Sequence, residues 1–186
     1  MAQGVWSPTI PKVGDVMLGE GILYKDYGEG SQAIVGATRG GSKLQIEKPI
    51  RVVDYDGAYG ETKDMRRTEM FIVRLVVNFL KLSYTNFAYG LPVTVSDGSD
   101  ADGTYKKTTF NLEIADTDVL TNLTFKGWKM DGTVTLIKVL NALNINPISL
   151  EFKAKDEVVA EMTYTGFYFA ATPTVPPLEI WDYVAA

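Results

Sequence analysis

From Glu69 to Lys81 the chain reads EMFIVRLVVNFLK, with apolar side chains at Phe71, Val73, Leu75, Val77 and Phe79. Successive side chains of a strand point to opposite faces, so this period of two predicts a β-strand with one face on a core. The opposite face carries Met70, Ile72, Arg74, Val76, Asn78, Leu80 and Leu82, a mixed rather than polar set. A strand apolar on one side and half-apolar on the other is expected to be covered twice, by its own core and by a partner. Upstream, Leu44, Ile46, Ile50 and Val52 read as one face of a second alternating run, broken at Lys48-Pro49.

Between these runs lies Asp54–Thr68, about as long as a loop without structure becomes in a compact domain before it has a function. It holds Asp54, Asp56, Glu61, Lys63, Asp64, Arg66 and Arg67, together with Tyr55 and Tyr59. That composition suits a loop that docks on another surface.

The rest of the chain is strand-rich. Leu18–Lys25 alternates with Ile22 and Tyr24 on one face, and Asp26–Gly30 is a turn cluster. Gln32–Thr38 is a short strand through Ala33, Val35 and Ala37. Ser83 is placed to cap a short helix over 83–90 carrying Tyr84 and Phe87, with Leu91 just beyond and Gly90 and Pro92 ending it. Ser96–Gly103, SDGSDADG, reads as an exposed loop. Thr108–Ile114 is expected to turn Phe110, Leu112 and Ile114 inward. After a loop at Asp116–Leu120, a strand through Leu123 and Phe125 runs toward Trp128. Asp131-Gly132 then signals a two-residue hairpin, with Thr133–Leu140 returning. Ile148–Lys153 and Val158–Ala170 follow, joined at Lys155-Asp156. Val158, Ala160, Met162 and Tyr164 share a face there, and Phe167, Tyr168 and Phe169 lie on both.

Both termini read as apolar-anchored arms. Residues 1–17 carry Val5, Trp6 and Ile10 among glycines and prolines. Residues 171–186 carry Leu178, Ile180, Trp181 and Tyr183 behind Pro173, Pro176 and Pro177. The expected architecture is mainly β: a sandwich or barrel-like domain over 18–170, about eight strands with one short flanking helix, bracketed by the two arms.

Composition narrows the function classes. A chain of 186 residues is most simply one domain with extensions, able to bury roughly 70% of its unfolded surface. No apolar run is long enough for a membrane span, since the longest candidate is broken at Arg74 and Asn78. The N-terminus has no basic region followed by an apolar core, so no signal peptide is expected. There is no cysteine and no histidine, which removes disulfides, thiolate metal sites and the commonest general base. A net charge of −5 argues against a surface that grips phosphates.

Individual motifs carry little chemistry. Gly36–Lys43, GATRGGSK, has Ser42 before Lys43 where a phosphate loop needs Lys before Ser or Thr. Asp97, Asp100 and Asp102 miss the calcium-loop spacing, because residue 98 is glycine and Thr109 stands where the closing glutamate belongs. No two carboxylates can be paired from the sequence as acid and base. Asn122-Leu123-Thr124 matches a glycosylation acceptor without other secretory signs. The aromatics at 164–169 suit a core or interface strand, with a sugar-stacking platform as the other reading. No cofactor is expected.

Three segments together resemble the major tail proteins of long-tailed bacteriophages, the subunits of the tail tube. They are DYDGAYGETKDMRR with the strand and helix after it to Gly90-Leu91-Pro92; the block from Thr121 ending LIKVLNALNINPISL; and EMTYTGFYFAATPTVPPLEIWDY. In order and spacing they span roughly 43–183, most of the chain; the 96–103 loop has no counterpart. The resemblance implies a β-sandwich with a flanking helix, assembled as hexameric rings stacked into a hollow tube in a virion made in a bacterial cytoplasm. Tape-measure, tail terminator and tip proteins are the implied partners, and double-stranded DNA passes through without specific binding.

In such proteins the long loop and the arms join one ring to the next. The contact candidates are therefore Trp6 and Ile10 in the N-terminal arm, and Tyr55, Asp56, Tyr59, Glu61, Lys63, Arg66 and Arg67 in the loop. To them are added Ile72, Arg74 and Val76 on the outer strand face, and Leu178, Ile180, Trp181 and Tyr183 in the C-terminal arm. An acidic wall would let duplex DNA slide, because like charges repel. The tube subunit of a contractile tail or secretion system and a carbohydrate-binding β-sandwich are the alternatives.

Overall fold

The computed structural model describes residues 17–36, 38–53, 56, 60, 63–80, 83–150 and 158–183. The chain is mainly β, with antiparallel sheets and, among the described residues, one short α-helix. Trp6, Ile10, Tyr55, Tyr59, Glu61 and the Lys155-Asp156 turn lie outside the described residues, as does the N-terminal arm up to residue 16.

The central strand forms where the alternation places it. β6 (Ile72–Phe79) buries every second side chain, with Val73, Leu75, Val77 and Phe79 inward. It lies between β3 (Thr38–Glu47) and β12 (Ala160–Gly166), both antiparallel to it. On β12, Ala160, Met162 and Tyr164 share the buried face, as their spacing predicts. The Tyr164 ring meets Phe79 edge to face at 6.4 Å. β12 is shorter than the expected Val158–Ala170 strand, and Phe167, Tyr168 and Phe169 leave it to become partly exposed.

The large sheet runs β2 (Ala33–Ile34), β1 (Met17–Lys25), β9 (Leu120–Lys129), β10 (Val134–Asn144), β12, β6, β3. Leu23, Leu123 and Val139 from one half belong to the same buried cluster as Val73, Val77, Met162 and Tyr164 from the other. The sheet therefore curls so that both halves contribute to one core. β10 carries the bend. Its first part pairs with β13 (Leu178–Asp182), its last residues pair with β12, and Asn141 stands between them at φ +48°. Asn141 holds that junction through its Nδ2, which donates to the Phe167 carbonyl at 2.9 Å.

Several local expectations are corrected. The β9–β10 hairpin forms at Asp131-Gly132, but its loop has three residues, Met130 to Gly132. Gly132 N donates to the Lys129 carbonyl, Lys129 N donates to the Thr133 carbonyl, and Gly132 takes φ +85°. On β1 the core residue is Leu23, while Ile22 and Tyr24 are half-buried. Leu44 packs against the core, yet Ile46 is exposed near the end of β3, at the edge of the sheet, and Ile50 is exposed because it lies beyond Lys48-Pro49 in a separate hairpin. The glycine-rich 36–43 segment is largely strand, with Gly41 at φ +81° in a register shift between β3 and β6.

The helix is α1 (Tyr84–Phe87), shorter than 83–90 but capped as expected: Ser83 Oγ accepts from Asn86 N. Gly90 ends the turn after it at φ +66°, where a Cβ would meet the Tyr164 ring at 2.8 Å. Tyr164 Oη donates to the Tyr89 carbonyl at 3.2 Å, and Asn144 N donates to the Gly90 carbonyl at 2.8 Å. This short connection thus seals the end of the core.

Candidate functional site

Two hairpins stand apart from the large sheet, each a two-stranded sheet of its own. The first joins β4 (Ile50–Val52) to β5 (Arg66–Thr68), with a 3-10 turn at Lys63–Met65 leading into β5. The sequence reads Asp54–Thr68 as loop throughout. In the structure its last three residues are a strand instead, because Arg66, Arg67 and Thr68 find partners in Val52, Arg51 and Ile50. Asp56, Lys63, Arg66 and Arg67 are all exposed, as are Ile50, Val53 and Met65. Arg51 and Arg67 stand directly opposite each other, an arrangement in which like charges oppose pairing.

The second hairpin is the larger correction. Ser96–Gly103, expected as a loop, forms most of β7 (Val93–Asp100) and the turn into β8 (Gly103–Phe110). The turn is closed by Asp100 Oδ1, which accepts from the backbone of Asp102 at 2.9 Å and Gly103 at 3.2 Å. Asp97 pairs with Lys106 across the strands, and this hydrogen bond raises the lysine's pKa. Neither strand contains a buried residue. Phe110 and Ile114, expected inward, are 59% and 56% exposed, and Leu112 is fully exposed. Their alternation is real, but β8 ends at Phe110 and the face it would define meets no core.

The apolar side chains at the base of this hairpin border a cleft. Leu91, Pro92, Phe110, Leu112, Ile114 and Ile148 line it, with Asn144 at its floor. Asn144 is buried, and its Nδ2 has no hydrogen-bond partner among the described residues.

The outer face of β6 is the third surface. Ile72, Arg74 and Val76 are half-buried, and Arg74 pairs with Glu47 on β3. Beside them a groove of about 550 Å³ is lined by Met70, Phe71, Ile145, Phe167, Tyr168 and Thr165 among others. Thr165 is buried, with its Oγ1 unpartnered among the described residues, and Tyr168 Oη donates to the Phe71 carbonyl at 3.2 Å.

Part of the C-terminal segment is not a free arm. Leu178–Asp182 lies along β10 as β13, and Leu178 packs against the core. Trp181 is held by Lys138, whose Nζ sits 4.0 Å from the centre of its ring. Asp182 accepts from Lys129 Nζ at 2.7 Å and Thr135 Oγ1 at 2.9 Å; these bonds lower its pKa. The physical reason is register: an apolar, Pro-free stretch beside an open edge of β10 finishes the ladder at home. Ile180, Trp181 and Tyr183 nevertheless remain about half exposed.

Other sequence motifs are absorbed by structure. Asn122 is buried; its Oδ1 accepts from Tyr27 N at 2.8 Å and Thr124 Oγ1 at 2.7 Å, which leaves no access for glycosylation. Asp26, also buried, accepts from Thr121 N at 3.0 Å and pairs with Lys25 at 2.9 Å. No helix among the described residues is long and apolar enough to cross a membrane.

A scan against protein-family models finds no match, and a search of curated proteins finds no relative of this chain.

The structure brings the loop candidates Lys63, Arg66 and Arg67 together on one hairpin, and Ile72, Arg74 and Val76 on one strand face. It separates both groups from Leu178, Ile180 and Trp181, which belong to β13 on the other half of the sheet. The sequence reading missed the second hairpin. The signal was present in Thr104 to Phe110, a β-rich run whose partner strand was hidden under Ser, Asp and Gly.

Proposed function

We propose that this chain is a structural subunit that polymerises as stacked rings into the tail tube of a long-tailed phage, a passive conduit for DNA. The observation that carries the reading is the pair of hairpins with no buried face. An isolated two-stranded hairpin is marginal in water, so apolar side chains such as Ile50, Met65, Phe110 and Leu112 call for a neighbour. Among the described residues, the outer edges of β3 and β13 are also unpaired. Unpaired edges are a hazard in a monomer and a joint in a polymer. A subunit with several distinct sticky surfaces makes heterologous contacts, which close into rings or propagate. The hexameric ring and the tail partners rest on the sequence resemblance.

Electron microscopy of the purified protein over a range of concentration and salt tests this reading. Rings or tubes are expected; monodisperse monomers under every condition would sink it.

The groove beside β6 favours a second reading, carbohydrate binding. It combines Phe71, Phe167 and Tyr168 with Glu69, Arg74 and Asn146, a mixture of stacking faces and polar groups that suits sugars. A glycan array separates the two: specific binding that is lost in Phe167→Ala, from a protein that stays monomeric, would favour the groove.

A further inference from the structure

We propose that the acidic arm at 93–118 of one copy docks on the arginine hairpin β4–β5 of a second copy, head to tail. This rests on the reading that the chain polymerises, and it names the contact.

Charge is divided unevenly along the chain. Residues 93–118 hold six carboxylates and only two lysines, so a net −4 of the chain's −5 sits there. Asp97 is matched by Lys106, and Asp100 and Asp118 bond to backbone N–H groups. Asp102, Glu113 and Asp116 are exposed and form no ion pair among the described residues. The strands of the other hairpin carry Arg51, Arg66 and Arg67 and no carboxylate.

Arg51 and Arg67 face each other across that hairpin, and neither has a carboxylate partner among the described residues. Of the carboxylates between the two strands, the described ones, Asp56 and Asp64, pair with neither arginine. Two exposed guanidinium groups held side by side repel, and an external carboxylate relieves that repulsion while gaining charge-assisted hydrogen bonds.

Each surface also carries exposed apolar side chains, Ile50 and Met65 on one, Phe110, Leu112 and Ile114 on the other. Burying these around the charges excludes water and strengthens the pairing. The first hairpin precedes β6, leaving the sheet where Glu47 and Ile72 are paired. The second follows only after β6 has ended at Phe79 and α1 has formed. Two different, complementary surfaces on one subunit make a contact that repeats from copy to copy.

Charge reversal tests the proposal. One variant carries Arg51→Glu and Arg67→Glu; the other carries Asp102→Lys, Glu113→Lys and Asp116→Lys. All these positions are exposed, and circular dichroism with thermal melting confirms that each variant folds. Each alone is expected to raise the concentration needed for polymerisation at least about tenfold, since like-charge juxtaposition costs several kcal/mol. Mixed one to one, the variants present complementary hairpins at both kinds of junction, and polymerisation is expected to return.

If wild type polymerises and both variants match it, the docking proposal fails while the structural role stands. If both variants are impaired and their mixture stays impaired, the two surfaces are not partners, and the proposal fails. If wild type forms no polymer at all, the proposal and the structural role fail together. Loss of binding to a duplex DNA probe in the arginine variant, with polymerisation unchanged, would reassign that hairpin to nucleic acid.

Discussion

β6 and β7 are both eight-residue strands in antiparallel ladders, yet β6 buries alternate side chains and β7 buries none. Both are laddered along their length, β6 on two edges by β3 and β12 and β7 on one edge by β8. The difference lies in what stands behind the ladder. Val73, Leu75, Val77 and Phe79 share one buried core with Met162 and Tyr164 of the neighbouring β12, whereas the β7–β8 hairpin reaches that core through Val93 at its base and is otherwise largely exposed. Its internal packing is confined to small devices: the Tyr105 ring lies over Gly98, and Asn111 and Thr94 exchange side-chain hydrogen bonds. Hydrogen bonds exchanged with water contribute little net stability, so the sheet interior holds the fold together while the hairpin adds little to it.

The largest test of that contrast is Tyr164→Ala, which removes a wholly buried ring. It is expected to cost about 3–5 kcal/mol in urea unfolding. Tyr105→Ala on the hairpin is expected to cost under about 1 kcal/mol. Equal costs would mean that the hairpin belongs to the same cooperative core. Next comes Gly90→Ala, which both strains a left-handed turn and drives a methyl into the Tyr164 ring. About 2 kcal/mol is expected, and Tyr164→Leu should reduce that penalty by opening the contact.

Alkaline pH gives a graded version of the same test. Burial pushes the Tyr164 hydroxyl well above the ordinary tyrosine range. Its unfolded form ionises near pH 10 while the folded form stays protonated. Its contribution is therefore whole below pH 10 and declines above it by about 1.4 kcal/mol per pH unit. Tyr164→Phe should flatten that slope; an unchanged slope would assign it to other tyrosines. The smallest effect on the subunit is expected from shortening Asp56–Asp64. Loop length enters stability only logarithmically, so the change should stay within about 1 kcal/mol, while tube formation fails. Normal tubes from the shortened chain would reduce that stretch to a connection.

The sequence foretells β6 and the buried face of β12 because their side chains alternate, and it foretells the start of α1 because Ser83 caps it, although the helix ends at Phe87, short of Gly90. Phe110, Leu112 and Ile114 show where that logic stops. Alternation reports that a face is apolar, not that anything covers it, and a strand's partner is set by the whole sheet. The Ser96–Gly103 stretch failed in the opposite way: turn-forming residues hid a hairpin whose ladder needs no side-chain burial. The arginine hairpin was half legible. Its charged residues are visible in the sequence as an exposed stretch, but the Arg51–Arg67 pairing depends on a register that no local pattern announces. The C-terminal strand was read as an arm for the same reason, since β10's open edge is known only once the sheet is built.

The strand order also governs when this subunit comes into being. β6 leaves a ribosome long before β12, and β1 pairs with β9 a hundred positions away, as in Tyr24 beside Thr124. Contacts so distant in sequence form slowly and late. Both charged hairpins are therefore synthesised before the platform beneath them exists, and the platform is complete only when β12 slots between β10 and β6. A chain still being made offers no finished surface to a neighbour. Under the proposed assembly, completion of the last strands would precede encounter between copies, so that subunits would meet as finished pieces.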